Sequence, residues 1–422
     1  MWKEYKFNTT PIPKEITQQT EIFNIANQKN QNFTYEFTNY GPIINANSFA
    51  KNIFSKDTKF ILQWTALKSD DYALEAIFNV MHAVSVDQAK EQLNKITSPY
   101  INLMLLDENN IALQTIGHPP KRYLNHDTKG VLPAPYQKKN IWNGLLDYNI
   151  NPKIMTPEIG AISNTNNQVT DSKYPNNFTF IWADHYRIQR INQLLGDKVS
   201  FNSNDLKRMQ LDNVSIKALL IKKQLIDYLT EDTRMSQQAL ILKMEQWDGS
   251  MNKDRFEPLL YHTWLRNFEH LLYEPTFKTY WTQIDRLSPT LTERILYRKT
   301  ISQKWTNNLS EIINQAFNRS INDLKKKYKK IELAKWGYEH KAIHQNTVLN
   351  HVPFIHYISS FKHAIDGDGE TLLRSEFIND STHPFYSNRS SGLRMVYDLG
   401  TNEISSILSS GQSGHILSPH YN

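Results

Sequence analysis

The chain has 422 residues, with 48 Lys and Arg against 42 Asp and Glu, 14 Gly and no Cys. At 39% hydrophobic and 12% aromatic residues it is too apolar for a disordered chain and long enough to bury a large core. The absence of Cys excludes disulfides, Cys-ligated zinc, Fe–S clusters and a Cys nucleophile, and a net charge of +6 over this length does not point to nucleic acid.

From Met1 the chain shows no basic region followed by an apolar run, so no signal peptide is expected of it as it stands. No stretch reaches the roughly 18–20 apolar residues of a membrane span, so a cytoplasmic location is expected of the chain as it stands. Phe33, Tyr35 and Phe37 alternate with Thr34, Glu36 and Thr38, the period of a strand with one apolar face. The strand ends at the turn Asn39-Tyr40-Gly41-Pro42. Phe60, Ile61, Leu62 and Trp64 form a second short strand. Ser69-Asp70-Asp71 then supplies a helix N-cap ahead of Tyr72, Leu74, Ile77, Phe78 and Met81 at helical spacing.

Residues 100–116 read as a β-hairpin turning at Asp107-Glu108-Asn109-Asn110. A long Pro-, Tyr- and Asn-rich loop follows, from Gly117 to about Gly160; such loops are functional or packed on a core. Helical spacing dominates the middle of the chain, as at Leu259, Trp264, Phe268 and Leu272. Loops and short strands return after Trp336, where Gly367, Gly369, Gly392, Gly400, Gly411 and Gly414 concentrate. Three segments result: a β-rich 1–199 with the hairpin and an Asn-Asn loop, a helical 200–335, and a loop-and-strand 336–422. The order β, α, β favours one α+β body with a large helical insertion.

Read from residue chemistry, no motif forms a self-sufficient active site. The run Lys325-Lys326-Lys327-Tyr328-Lys329-Lys330 reads as a solvated helix face, without a groove-reading motif beside it. His340 and His344 are four apart, with His351 and His356 beyond, but the HExxH pattern of a zinc helix is absent, so packed or surface histidines are expected. Asp366-Gly367-Asp368-Gly369-Glu370 opens like a calcium loop, yet Thr371 and Phe377 stand where an EF-hand needs Gly and Glu, leaving a tight acidic turn. Gly411-Gln412-Ser413-Gly414-His415 has His where a nucleophile elbow needs its last Gly. Asn164-Thr165-Asn166-Asn167 holds amides able to donate to an oxyanion, although Asn clusters are ordinarily turns.

Taken in order along the chain, several segments match one known pattern. Thr38-Asn39-Tyr40-Gly41-Pro42-Ile43-Ile44 is similar to T-x-H-G-P-V-I, Trp64-Thr65-Ala66-Leu67 to W-T-A-L, and Gly117-His118-Pro119-Pro120-Lys121-Arg122 to G-x-x-P-x-R. Trp142-Asn143-Gly144, Asn151-Pro152 and Glu158-Ile159-Gly160 are similar to a W-x-G loop leading to N-P-x-x-G. Ile162 to Val169 resembles I-x-T-A-N-N-x-I, and Tyr186-Arg187-Ile188-Gln189-Arg190-Ile191 resembles Y-R-x-x-R-I. Trp247-Asp248-Gly249, Trp336-Gly337 with His340, Gly367-Asp368-Gly369, and Gly411 to Gly414 with Ser418-Pro419-His420-Tyr421 complete the order. The chain thereby resembles most of the β-chain of the penicillin acylase (penicillin amidase) family of N-terminal-nucleophile hydrolases.

The resemblance implies a partial αββα sandwich with a helical excursion, and hydrolysis of the carbon–nitrogen bond of linear amides: penicillins, other acylamides and, in some members, acyl-homoserine lactones. It assigns Asn166 to the oxyanion hole and Arg187 to orienting the nucleophile. The family's nucleophile is the Ser that begins its β-chain, with its own α-amine as base. That Ser and the family's last segment lie outside the matched region, so this chain is expected to lack both. Calcium belongs to the family, but most of its ligands precede the matched region, and near Asn176-Asn177-Phe178 the expected Asp is absent. A functional chain would thus need a separately encoded acylase α-chain and N-terminal β segment as partner, with a small acylamide as substrate and neither nucleic acid nor membrane involved. Family members are typically periplasmic or secreted. The competing reading is an inactive remnant of a split or frameshifted gene. Either way, the missing strands are expected to leave sheet edges and apolar faces exposed.

Overall fold

A computed structural model of the chain describes residues 16–421 apart from 46–57, 129, 131–133, 172–173, 176–178, 180, 197–199, 285–288, 347–348, 350–351, 353, 355–359, 379 and 381. The Asn176-Asn177-Phe178 position and His351 and His356 lie outside the described residues. The chain forms two compact units, Met1–Ala183 and Asp184–Asn422.

In the first unit the alternating apolar run becomes the second strand of an antiparallel sheet. The strands β1 (Thr17–Phe23), β2 (Gln31–Thr38), β3 (Gly41–Asn45) and β4 (Lys59–Ile61) lie in the order β1-β2-β3-β4. Thr38 closes the turn after β2: its hydroxyl donates to the Gly41 carbonyl at 3.0 Å and accepts the Tyr40 N–H at 3.2 Å. Gly41 is required here. Its φ is +140°, and a Cβ at this position would stand 2.0 Å from the Leu62 carbonyl oxygen. That carbonyl belongs to the backbone, so it cannot swing aside, and Leu62 N–H is itself bonded to the Pro42 carbonyl. Gly41→Ala is expected to destabilise the first unit by about 1–3 kcal/mol, measured as a lowered urea midpoint.

Helices α1 (Ala73–Met81) and α2 (Val86–Leu93) follow. Asp71 serves as the N-terminal acceptor, taking the N–H of Ala73 at 3.2 Å and of Thr97 at 3.0 Å. The apolar residues that mark α1 in the sequence do not face the core. Ala76 is the residue buried, whereas Leu74 is 87% and Met81 75% exposed. Ile22, Phe23 and Phe33 on the first sheet are also exposed, so apolar surface is presented on both a strand and a helix.

The hairpin forms as expected, from β5 (Ile101–Leu106) and β6 (Ile111–Ile116). Asp107 builds its turn: one carboxylate oxygen accepts the N–H of Asn109 and Asn110, and the other accepts Val86 N–H at the start of α2. These backbone bonds, that from Val86 foremost, hold the Asp107 carboxyl below its usual range. The stretch read as a loop from Gly117 to Gly160 contains a strand, β7 (Lys153–Met155), which pairs with β6 and makes the hairpin three-stranded. Ala76, Leu93, Ile96 and Ile116 form the small core beneath.

The second unit is mostly helical: α3 (Tyr186–Leu195), α4 (Ser203–Gln210), α5 (Ile216–Asp227), α6 (Glu231–Ser236), α7 (Gln238–Gln246), α8 (Glu257–Phe277), α9 (Pro289–Tyr297), α10 (Lys299–Ser302), α11 (Leu309–Lys327) and α12 (Trp336–Glu339). The long helices α8 and α11 pack through Trp264 and Phe317, whose ring centroids are 4.6 Å apart, and Trp264 donates its indole N–H to the Ile313 carbonyl. The core continues through Trp336 and Phe385, so helical and C-terminal segments share one apolar interior. Lys325, Lys326 and Lys327 form the last turn of α11, where cations favour the negative end of the helix dipole.

The C-terminal strands are β8 (Lys341–Gln345), β9 (Ser360–Ala364), β10 (Ser375–Phe377), β11 (Ser387–Ser390), β12 (Leu393–Asp398) and β13 (Glu403–Leu408). The first four form a sheet in the order β10-β11-β8-β9, and β12 and β13 a separate antiparallel hairpin whose outer strand is exposed throughout. His340 ends α12 and His344 sits on β8, so their four-residue spacing does not place them on one helix face.

His340 is instead a core residue. Trp336 stacks on it at 4.4 Å and on His262 at 4.9 Å, and its ring nitrogens meet the Phe385 carbonyl and the Ser375 hydroxyl. Burial lowers its pKa from 6.5 to about 4, outweighing the raising effect of the Phe385 bond. The unfolded chain therefore binds a proton between those values that the folded chain refuses. This stability is complete above pH 6.5 and is lost as pH falls toward 4, by about 3 kcal/mol in all. Urea midpoints at pH 7.5 and 4.5 should show the loss in the wild type and a smaller loss in His340→Gln.

Candidate active site

Asn166 lies in the first unit and Arg187 in the second, and each is held by its own local network. The Asn-rich loop is a pair of interlocked side-chain turns. Asn164 accepts the Asn166 N–H at 3.0 Å, while Asn167 accepts both the N–H and the hydroxyl of Thr165. Ala183 N–H bonds the Asn166 carbonyl at 2.9 Å and ties the loop to the end of the unit. Asn166 has φ +63°, a left-handed conformation that Asn tolerates better than other residues with a Cβ. With its backbone fixed from both sides, Asn166 is exposed while its neighbour Thr165 is buried. An amide N–H donor on an immobilised backbone is what an oxyanion needs.

Arg187 is in the first turn of α3 and half-buried. The residues on either side of it anchor the helix. Tyr186 is fully buried, with its hydroxyl on Glu293, and Thr290 bonds Asp184 just ahead of the helix. One turn on, Arg190 forms a two-bond fork with Asp212, Nε to Oδ1 at 2.9 Å and Nη2 to Oδ2 at 2.7 Å. The Asp212 bond raises the Arg190 pKa further above its already high value. Residues three apart share a helix face, so the fork fixes the rotation of α3 and with it the direction of Arg187. Sequence reasoning missed Glu293, Asp212, Asp184 and Thr290; the only signal was the Tyr and second Arg of the Y-R-x-x-R spacing.

Three further motif segments converge in the first unit. A cavity of about 290 Å³ is lined by Tyr40 and Gly41, by Trp64 and Leu67, and by Trp142 and Gly144. Gln63 joins two of its walls, accepting Trp142 N–H at 3.1 Å and donating to the Asn140 carbonyl at 3.5 Å. The G-H-P-P-K-R stretch pairs with the W-N-G stretch, through Lys121 N–H to Gly144 O and Asn143 N–H to Lys121 O. Trp64 is 55% exposed, so an aromatic face is open at the cavity.

The family model described as penicillin amidase matches residues 3–422. The chain belongs to the penicillin amidase family. Among curated relatives it is 22% identical to the acyl-homoserine lactone acylase QuiP of Pseudomonas aeruginosa, over 96% of this chain and 52% of the relative. It is 25% identical to the penicillin G acylase of Escherichia coli, over 56% of this chain and 27% of the relative. The solved structure of a thermostable penicillin G acylase from Alcaligenes faecalis superposes with a TM-score of 0.66 at 18% identity, covering 96% of this chain and 75% of that one. The fold is therefore the penicillin G acylase fold, of mixed α and β structure. The chain spans about half the length of the QuiP relative.

Within this penicillin amidase fold no group of three or more His, Asp or Glu able to hold a metal ion occurs among the described residues. The calcium position implied by resemblance near residues 176–178 lies outside them. No helix among the described residues is long and apolar enough to cross a membrane.

Proposed function

We propose that the chain supplies part of an acylase active centre that hydrolyses the carbon–nitrogen bond of linear acyl amides. The observation that carries this reading is the locked, left-handed Asn166, exposed on a backbone that its neighbours immobilise. The nucleophile, a Ser with its α-amine free, would come from a polypeptide segment outside these 422 residues. Attack of the Ser hydroxyl on the amide carbonyl forms a C–O bond and moves the hydroxyl proton to the α-amine. The carbonyl oxygen becomes an oxyanion, which the Asn166 amide stabilises. Collapse breaks the C–N bond, and the leaving amine takes the proton. Water then hydrolyses the acyl-enzyme by the same route. The Arg187 guanidinium, a fixed cation, favours a neutral rather than protonated amine beside it. The cavity of Tyr40, Trp64 and Trp142 suits an apolar acyl group.

The substrates in the relatives' names, acyl-homoserine lactones and penicillin G, provide the test of bond choice. The chain, combined with an N-terminal penicillin amidase segment bearing the Ser, is given an acyl-homoserine lactone and a phenylacetyl amide. Release of free amine from both supports the proposal. Opening of the lactone ring with the amide left intact overturns it. Failure of any pairing to associate or turn over supports the remnant reading.

A further inference from the structure

We infer that the cleft between the C-terminal sheet and the β12–β13 hairpin binds a small amphipathic carboxylate. The cleft has a volume of about 650 Å³, within the range of small-molecule sites. It lies wholly in the second unit and does not depend on the proposed hydrolysis. Leu211, Ile407 and Leu408 give it apolar walls, and Lys253, Arg374 and Arg394 bring cations from three separate stretches of chain.

The charges of the cleft are unbalanced. Its one acidic residue, Asp366, has both oxygens engaged, by Lys253 N–H at 2.7 Å and by the Asn213 amide at 3.4 Å. Lys253 approaches Asp254 at 3.6 Å on the surface. Arg374 donates one Nη to Glu376 at 2.6 Å, but its Nε is buried without a hydrogen-bond partner. An orphaned buried N–H costs free energy that a bound acceptor would recover. Arg394, on β12, has no carboxylate partner among the described residues. A guanidinium presents donors in a planar fork that matches a carboxylate, and the apolar walls ask for a hydrocarbon body behind it. Inorganic phosphate satisfies the cations but leaves those walls facing water. An uncharged alcohol satisfies the walls but not the cations.

The test is isothermal titration calorimetry of the full chain with octanoate, octanol and inorganic phosphate. Octanoate is expected to bind saturably at one site, at least about tenfold more weakly in Arg394→Gln and with partial recovery in Arg394→Lys. Octanol and phosphate are expected to give no saturable heat. Circular dichroism monitors folding. Should Arg394→Gln fail to fold, Ile407→Glu provides the second variant: the residue is exposed on β13, and a carboxylate there is expected to abolish octanoate binding. The inference is overturned if octanoate does not saturate, if folded Arg394→Gln or Ile407→Glu binds it as tightly as the wild type, or if phosphate binds equally well.

Discussion

Asn166→Ala is expected to lower kcat of the assembled acylase by roughly 10²–10³-fold with little change in KM. In the proposed mechanism the amide meets charge that exists only in the transition state, so its loss should appear in the chemical step and not in substrate binding. A confounding effect is separable. Asn166 holds φ +63°, where Ala is strained by about 1 kcal/mol. Asn166→Gly removes the amide and relieves that strain. Both variants should lose the same factor in kcat, while only the Ala variant shows a lowered urea midpoint. A Gly variant with wild-type kcat would show that the backbone conformation, not the amide, matters at this position.

Arg190→Ala is expected to destabilise the second unit by about 3 kcal/mol and to reduce kcat through Arg187. The fork with Asp212 is largely withdrawn from water, with side chains only 20% and 13% exposed. Removing the Arg leaves a mostly buried carboxylate with only the weaker Val214 N–H bond at 3.3 Å in view. Helix α3 then loses the restraint that sets its rotation, although Tyr186 keeps its bond to Glu293. Arg190→Lys keeps the charge but lacks the planar fork, so it should restore part of the stability and less of the rate. If Arg190 acts by positioning Arg187 in the proposed mechanism, KM should move little and the kcat loss should shrink in the Lys variant. An Ala variant with an unchanged urea midpoint would contradict this account.

Some of this architecture was legible in the residues and some was not, for physical reasons. The β5–β6 hairpin was readable because two apolar runs flank Asp107-Glu108-Asn109-Asn110, and Asp107 closes that turn with one carboxylate oxygen on the N–H of Asn109 and Asn110. The helical middle was readable because residues such as Leu259, Trp264 and Phe268 repeat with the helix period and are buried together. Strand β7 was not, since three residues are too few to display an alternation, and its pairing depends on β6 far back in the chain. The outward face of α1 was equally hidden. Periodicity identifies a helix but does not say which neighbour covers its apolar side. His340 and His344 show the same limit, for their spacing fits a helix, but α12 ends at Glu339 and the chain turns directly into β8. At the candidate site, residue chemistry offered only an Asn-rich cluster at 164–167, and motif order singled out Asn166 and Arg187. The side chains that hold α3 in place, Glu293 and Asp212, are distant in sequence from Arg187 and have no pattern of their own.

The proposed function has this chain supply acylase groups and take its nucleophile from another polypeptide segment. The most direct measurement is the hydrolysis rate of a chromogenic phenylacetyl amide by the chain alone, by the N-terminal Ser-bearing segment alone, and by the two combined. Turnover in the mixture only is the predicted result. Turnover by the chain alone, or none in a mixture shown to form a complex, would contradict the claim.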